Sequence, residues 1–251
     1  MAGKVTDSLQ FLFAGMLLGI VSLIALPLAA KEKKLKPKQI KDTHAFLANK
    51  RRALAYYNVL SAAYDILNPY LYTSSMRSEV TKMIAHGEPL RVLDVGCGTG
   101  YTTAGILRLD SIEVVGVDQN HKQLQKATRN LSNEKTSLSL YRGDVENLPF
   151  IDDSFDVVVS VGAVEYFPDP ERALKEMTRV VKHGSRVVVG GPEYTWFKKV
   201  LLHKIFYAPA PSEIKDLFYR AGLAEVSLML IGVPKFFSTD KYVLIATGTK
   251  K

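Results

Sequence analysis

Arg91-Val92-Leu93-Asp94-Val95-Gly96-Cys97-Gly98-Thr99-Gly100-Tyr101 is the stretch from which the fold of this 251-residue chain is read. An apolar, β-branched run leads into three glycines at alternate positions, and a helical pattern follows. That order predicts a buried strand, a tight turn and a helix start. Glycine is needed where backbone adopts positive φ or comes close to a ligand, because a Cβ would collide. The turn is expected to set unpaired backbone N–H groups, and the positive end of a helix dipole, beside a small molecule.

Downstream of this turn the pattern alternates strand and helix. Val114–Asp118 reads as a strand ending in an acid, followed by a helix over about 120–130. Leu138–Tyr141 is a third strand closed by Gly143-Asp144, and Phe155–Val161 is a fourth. Asp169-Pro170-Glu171 supplies an N-cap, a proline at the first helical position and an acid in the first turn, for a helix to about Val181. Ser185–Gly190 is expected as a fifth strand after a His183-Gly184 turn, with a helix over 211–221 and strands over 224–231 and 241–247. Strands separated by helices predict a doubly wound, mainly parallel α/β sheet; the closely spaced last two strands predict an antiparallel pair at its edge.

Upstream of the turn, Phe46, Leu47, Leu54, Tyr57, Leu60, Tyr64 and Leu67 fall at helical spacing, stopped by Asn68-Pro69. A second helix is expected over about 74–86, and tyrosines at 56, 57, 64, 70 and 72 cluster ahead of the glycine turn. Further back, residues 9–30 run 22 positions without a formal charge, enough for a helix across a hydrocarbon core of about 30 Å. A cleaved signal peptide would have a shorter apolar core and a better small-x-small site than Leu28-Ala29-Ala30. The reading is a membrane anchor over 1–30, a basic linker over 31–52 and a domain over 53–251, held on the cytoplasmic side by the lysines.

The net charge of +8 is local. Residues 31–52 hold nine Lys and Arg against Glu32 and Asp42, which is +7, while Lys4 and Asp7 cancel, so the domain carries +1. A nearly neutral domain is not a nucleic-acid surface. Cys97 is the one cysteine, which excludes an internal disulfide and places a small residue in the turn. The five histidines show no metal-ligand spacing.

Spacing narrows the ligand. The dinucleotide fingerprint GxGxxG requires a glycine where this chain has Tyr101, and no Gly-Lys-Ser/Thr of a phosphate loop follows. Asp118, 22 residues beyond Gly96, is placed to take two ribose hydroxyls, and Asp144 to accept from a purine amino group.

Leu93–Gly100, Val115-Gly116-Val117-Asp118 and Leu148-Pro149-Phe150-x-Asp152-x-Ser154-Phe155-Asp156-x-Val158 together resemble class I S-adenosylmethionine-dependent methyltransferases, over roughly residues 55–249. The resemblance implies a seven-stranded sheet with an antiparallel last strand and S-adenosyl-L-methionine as cofactor. It implies that Asp94, Gly96, Gly98 and Gly100 face the methionine portion, Asp118 the ribose, and Asp144 with Val145 the adenine; Tyr64, Gln119 and Ser160 complete the expected cofactor contacts. More narrowly, Tyr64-Asp65-x-Leu67-Asn68 with Met76-Arg77 is similar to ubiquinone and menaquinone C-methyltransferases. Ser160–Pro170 with Gly191-Pro192-x-Tyr194 resembles prenyl-benzoquinol methyltransferases, whose plant-type members usually carry a C-terminal membrane tail.

That resemblance implies a lipophilic acceptor, a prenylated quinol ring carbon first. Losing a phenolic proton raises the nucleophilicity of the ortho carbon, so a base helps; Glu165 is the candidate, with Tyr166 or His203 orienting the ring. The apolar, aromatic and lysine-rich segment 194–207 fits either an interfacial amphipathic helix or a cap on the site. The alternatives are a sterol, thiol or other hydrophobic small molecule as acceptor, and, in another class, a non-catalytic cofactor-binding scaffold. No Tyr-Glu-x-Gly-Trp-Gly segment of the sterol enzymes is present, nor an Asn/Asp-Pro-Pro-Tyr/Phe motif of nucleic-acid methyltransferases.

Overall fold

Val92, Leu93, Asp94 and Val95 are consecutive and all buried, so strand β1 (Leu90–Val95) is covered on both faces, which a sheet achieves only with helices on each side. In this computed structural model the described residues are 50–60, 74–84, 90–133, 137–192, 209–232 and 242–251. They form helices α1 (Lys50–Leu60), α2 (Ser74–Ile84), α3 (Tyr101–Ile106), α4 (His121–Asn130), α5 (Pro170–Val180) and α6 (Pro211–Arg220). The remaining strands are β2 (Ile112–Asp118), β3 (Leu138–Arg142), β4 (Phe155–Val161), β5 (Val181–Pro192), β6 (Leu223–Gly232) and β7 (Tyr242–Lys250).

The seven strands are ordered β3-β2-β1-β4-β5-β7-β6, all parallel except β7, which runs antiparallel to both neighbours. The expected antiparallel pair therefore exists, with β7 inserted between β5 and β6 and β6 at the edge. Leu93, Val95, Val115, Val117, Val158 and Val187 pack with Leu174, Met177, Leu217 and Phe218 of α5 and α6. The alternate residues Val92, Val114, Val157 and Val188 are equally buried, as are Val80 and Ile84 of α2 and Ile106 of α3.

Local chemistry explains the boundaries. Asp169 accepts from the Arg172 N–H at 3.0 Å and Pro170 opens α5, the N-terminus expected from sequence. Strand β5 differs from expectation: it begins at Val181, directly after α5, not at Ser185. Its register against β4 shifts between Phe155↔Val181 and Val157↔Arg186, so five residues on one strand face two on the other. Gly184, at φ 73°, turns within that bulge, and the expected turn is thus an irregularity inside the strand.

The motif around Leu148–Phe155 is held by one cation. Arg179 donates to the carbonyls of Phe150 (2.8 Å) and Leu148 (3.1 Å) and pairs with Asp152 and Glu176. Asp156 accepts from the Arg91 N–H at 2.8 Å and pairs with Lys182, tying β4 to β1. These acids build the fold. The apolar span 9–30, the linker up to 49, Tyr64 and segment 194–207 lie outside the described residues; within them, no helix is long and apolar enough to cross a membrane.

Candidate functional site

The site forms where β1 and β2 end together. Asp94 pairs with Gly116 and Val95 with Val117, which leaves Asp118 one step beyond the end of β1. There the chain turns: the Gly96 and Cys97 N–H groups both donate to the Val117 carbonyl, at 2.8 and 3.1 Å. The Gly98 N–H donates to Asp118 Oδ2 (3.0 Å) and the Gly100 N–H to the Cys97 carbonyl (2.9 Å).

This corrects the expectation of unpaired donors aimed at a ligand. The N–H groups of Gly96, Cys97, Gly98 and Gly100 are all consumed inside the protein, so these four offer no anion cradle. The glycines answer to packing. A Cβ on Gly96 (φ 72°) would lie 2.7 Å from Ala163 Cβ, and one on Gly100 (φ 85°) 2.6 Å from Leu131 Cδ1. Gly96 and Gly98 still present their backbone to a cleft enclosing about 570 Å³, part of it open to solvent.

That cleft is lined by Leu54 and Tyr57 of α1, the turn glycines, Asp118, Gln119, Asn120 and Gln123, and Val145, Gly162, Ala163, Tyr166 and Phe167. Tyr57 meets Tyr166 edge to face, with ring centroids 5.1 Å apart, so α1 is packed over the mouth. Asn120 caps α4 through Oδ1, which accepts from the Lys122 and Gln123 N–H groups at 2.9 and 3.3 Å.

Of the residues expected from sequence, Gly96, Gly98, Asp118, Gln119 and Val145 meet at this cleft. Asp94 is buried beneath the turn and accepts from Thr103 Oγ1 at 2.6 Å. The Ser160 hydroxyl, fully buried, donates to the Val95 carbonyl at 2.9 Å and ties β4 to β1. Asp144 lies just past β3 but outside the lining: Oδ2 pairs with Lys50 at 2.6 Å and Oδ1 accepts from the Glu146 N–H at 3.0 Å. Glu165 sits on a 3₁₀ turn (Val164–Tyr166), buried, with Oε2 3.5 Å from where a Gly191 Cβ would stand. Leu54, Tyr57, Asn120, Gln123, Gly162, Ala163 and Phe167 were not singled out as site residues from sequence.

Burial dominates the electrostatics. It pushes the Asp118 carboxyl up to about 6, against the stabilising N–H donors of Asn120 and Gly98. Burial likewise pushes Asp94 up to about 6, with the Thr103 hydroxyl opposing and the Asp118 charge adding. Cys97 is driven well above its ordinary value by burial and both carboxylates, so it remains an inert thiol.

The groups present suit a ligand that donates to Asp118 and meets buried polar ends: Asn120 Nδ2 and Gln123 Oε1, both wholly buried, lack a hydrogen-bond partner among the described residues. S-Adenosyl-L-methionine fits, having ribose hydroxyls, a purine edge, a cationic sulfonium and no phosphate. Because hydroxyls donate to ionised Asp118, affinity for the product S-adenosyl-L-homocysteine is expected to fall up to about tenfold per pH unit below about 6. Calorimetry across that range checks this, and a flat profile would contradict it. Ligand-free stability runs oppositely: the folded pKa values of Asp94 and Asp118 exceed 3.8, so their contribution is complete below 3.8 and is lost as pH rises through about 6.

A family described as "Methyltransferase domain" matches residues 93–189. The chain is 36% identical over 218 residues to the chloroplastic 2-methyl-6-phytyl-1,4-hydroquinone methyltransferase 2 of Oryza sativa; the alignment takes in 82% of this chain and 61% of that protein. This chain thus spans about three fifths of the length of such relatives. It is 31% identical over 207 residues to a ubiquinone/menaquinone biosynthesis C-methyltransferase of Geotalea daltonii, covering 76% of this chain and 84% of that one. The fold is similar to a solved S-adenosylmethionine-dependent methyltransferase of Thermotoga maritima, with TM-score 0.61, 22% identity, and 78% and 100% of the two chains covered.

Proposed function

The chain belongs to the S-adenosylmethionine-dependent methyltransferase family, and on that premise we propose that it methylates a ring carbon of a prenylated quinol while anchored to a membrane. The observation that carries the acceptor is the chain's likeness, over most of its length, to proteins named for a phytyl hydroquinone. The anchor is residues 9–30, whose apolar length suits a chemistry that draws its acceptor from a bilayer.

S-Adenosyl-L-methionine supplies a methyl group already activated on sulfur, so the protein's work is alignment. Asp118 takes the ribose hydroxyls, its oxygens prepositioned by the Gly98 and Asn120 N–H groups at 3.0 and 2.7 Å. Gly96 and Gly98 let the chain come close, and Tyr57 and Tyr166 close the cleft from opposite elements. Glu165, at the carboxyl end of β4 and facing β5, takes the quinol hydroxyl proton on its carboxylate. Held by Asp118 and the glycine turn, the cofactor would supply the methyl carbon to the ring carbon so activated, its C–S electron pair remaining on sulfur. The ring C–H proton leaves to water, and Glu165 returns the hydroxyl proton. Glu165→Gln is expected to lower kcat about 100-fold with KM changed less than about threefold. An unchanged kcat would leave Glu165 a packing residue.

The reading is tested by giving membranes from cells expressing the full chain methyl-labelled S-adenosyl-L-methionine and a total lipid extract. Label should appear in a prenylated quinol, made by the membrane fraction, and deletion of residues 1–30 should move the activity to the soluble fraction. Label in a sterol or a water-soluble thiol would replace the acceptor, and no labelled product would favour a binding scaffold.

A further inference from the structure

Resting on the membrane anchor and lipophilic acceptor proposed above, we propose that the carboxyl end of edge strand β6, at Met229 and Leu230, dips into the bilayer surface and holds the cleft mouth against it. Of the six large hydrophobic residues exposed among the described residues, only these two are neighbours in sequence, at 41% and 50% exposed. The exposed positions of β6 change in kind along the strand: Glu225 and Ser227 lie in its first half, Met229 and Leu230 in its second. Edge strands usually carry charge or are covered, because an apolar edge invites association.

Topology brings this pair to the cleft end of the sheet. Strand β7 runs antiparallel to both β5 and β6, so β6 runs with the parallel strands and ends where they end. Register gives the height. Met229 pairs with Ile245, Ile245 with Gly190, and Gly190 with Val161, the residue before Gly162 and Ala163 of the cleft lining.

The proposed anchor connects on the other side of the cleft. The apolar span 9–30 and the Lys-rich residues after it lead into α1. Its first residue, Lys50, pairs with Asp144 (2.6 Å) and Glu146 (2.7 Å), just past β3. Strands β3 and β6 are the two edges of the sheet, so tether and apolar pair straddle the cleft at one end of the domain.

Two half-exposed side chains bury too little apolar area to hold a domain on a membrane by themselves. A tether makes theirs the second, intramolecular contact and raises the effective concentration of bilayer beside them. The bilayer is the occupant that the chain itself brings to this end of the sheet. A cleft opening onto it receives an acceptor whose apolar tail stays in lipid.

Spin labelling of the full chain in phosphatidylcholine vesicles containing phosphatidylglycerol tests this surface. Cys97 is buried, so a nitroxide on Met229→Cys or Leu230→Cys is the reporter. Both labels should be more accessible to oxygen, which collects in lipid, than to a water-soluble nickel chelate. A label on Ile151→Cys, 82% exposed just before β4 and so at the opposite end, should show the reverse. Preference for the chelate at the β6 positions would overturn the proposal. So would exclusion of both reagents, which would put a protein surface there instead. Full chain left in the supernatant when the vesicles sediment would overturn the anchor itself, and this proposal with it. In activity, joint Met229→Thr and Leu230→Thr keep strand propensity. They should raise KM about tenfold for a prenylated quinol delivered in vesicles, and leave kcat and KM in detergent micelles unchanged. An equal rise in micelles would overturn the bilayer role.

Discussion

Asp118→Ala is expected to weaken S-adenosyl-L-homocysteine binding at least about 100-fold, with the protein still folded. The ligand loses two charge-assisted hydrogen bonds, each worth roughly 1.5–3 kcal/mol. The protein loses a brace as well: Asp118 holds the Gly98 N–H at 3.0 Å and the Asn120 N–H at 2.7 Å, and so joins the glycine turn to the start of α4. Asp118→Asn separates the two contributions, because its single carbonyl oxygen can satisfy one N–H and leaves the site neutral. Affinity in the Asn variant should fall between those of the natural chain and Asp118→Ala, and should lose its dependence on pH near 6. Ligand-free stability should hold or rise on neutralisation, since burial penalises the charged carboxylate. Calorimetric affinity within about threefold of the natural chain in Asp118→Ala would refute the ribose assignment. Loss of cooperative unfolding in the same variant would instead make Asp118 a structural brace first.

What was legible in the sequence follows from how far apart the causes sit. Strand β1 and the turn after it were readable because four consecutive buried residues and the glycines that follow are adjacent in the chain. The α5 start was readable because Asp169 and Pro170 act on backbone within three residues. Asp144 illustrates the opposite case. Its position at a strand end is local, but its occupation by Lys50 depends on a residue 94 positions away, brought there by α1. Asn120 and Gln123 look like ordinary polar residues of a surface helix. Only the packing of α4 beside β2 and β3 puts them at the cleft. The His183-Gly184 pair does bend the chain, as glycine chemistry requires, but hydrogen bonding to β4 on either side makes it a bulge within β5. The glycine turn shows the subtlest difference. Its location was evident, whereas its reason, self-packing with every named N–H spent internally, is a property of the folded turn alone.

Gly96→Ala carries the second large effect, a loss of roughly 2–5 kcal/mol of stability together with cofactor binding. Two costs add. The residue sits at φ 72°, where an alanine is disfavoured by about 1–2 kcal/mol. Its Cβ would stand 2.7 Å from Ala163 Cβ, and neither atom has a rotatable bond with which to move aside, so backbone must shift. That overpacking contributes about 1–3 kcal/mol more. The shift falls between the turn after β1 and the loop after β4, both of which line the cleft, so affinity and stability should drop together. Gly184→Ala is the control, because it has nearly the same φ, 73°, and nothing within 4 Å of the added atom. It should cost about 1–2 kcal/mol and leave binding unchanged. Denaturant unfolding of both variants, read as midpoint shifts at constant m, gives the difference directly. A Gly96→Ala no worse than Gly184→Ala would mean that the turn yields at Ala163, and that the glycine there serves backbone conformation without serving packing.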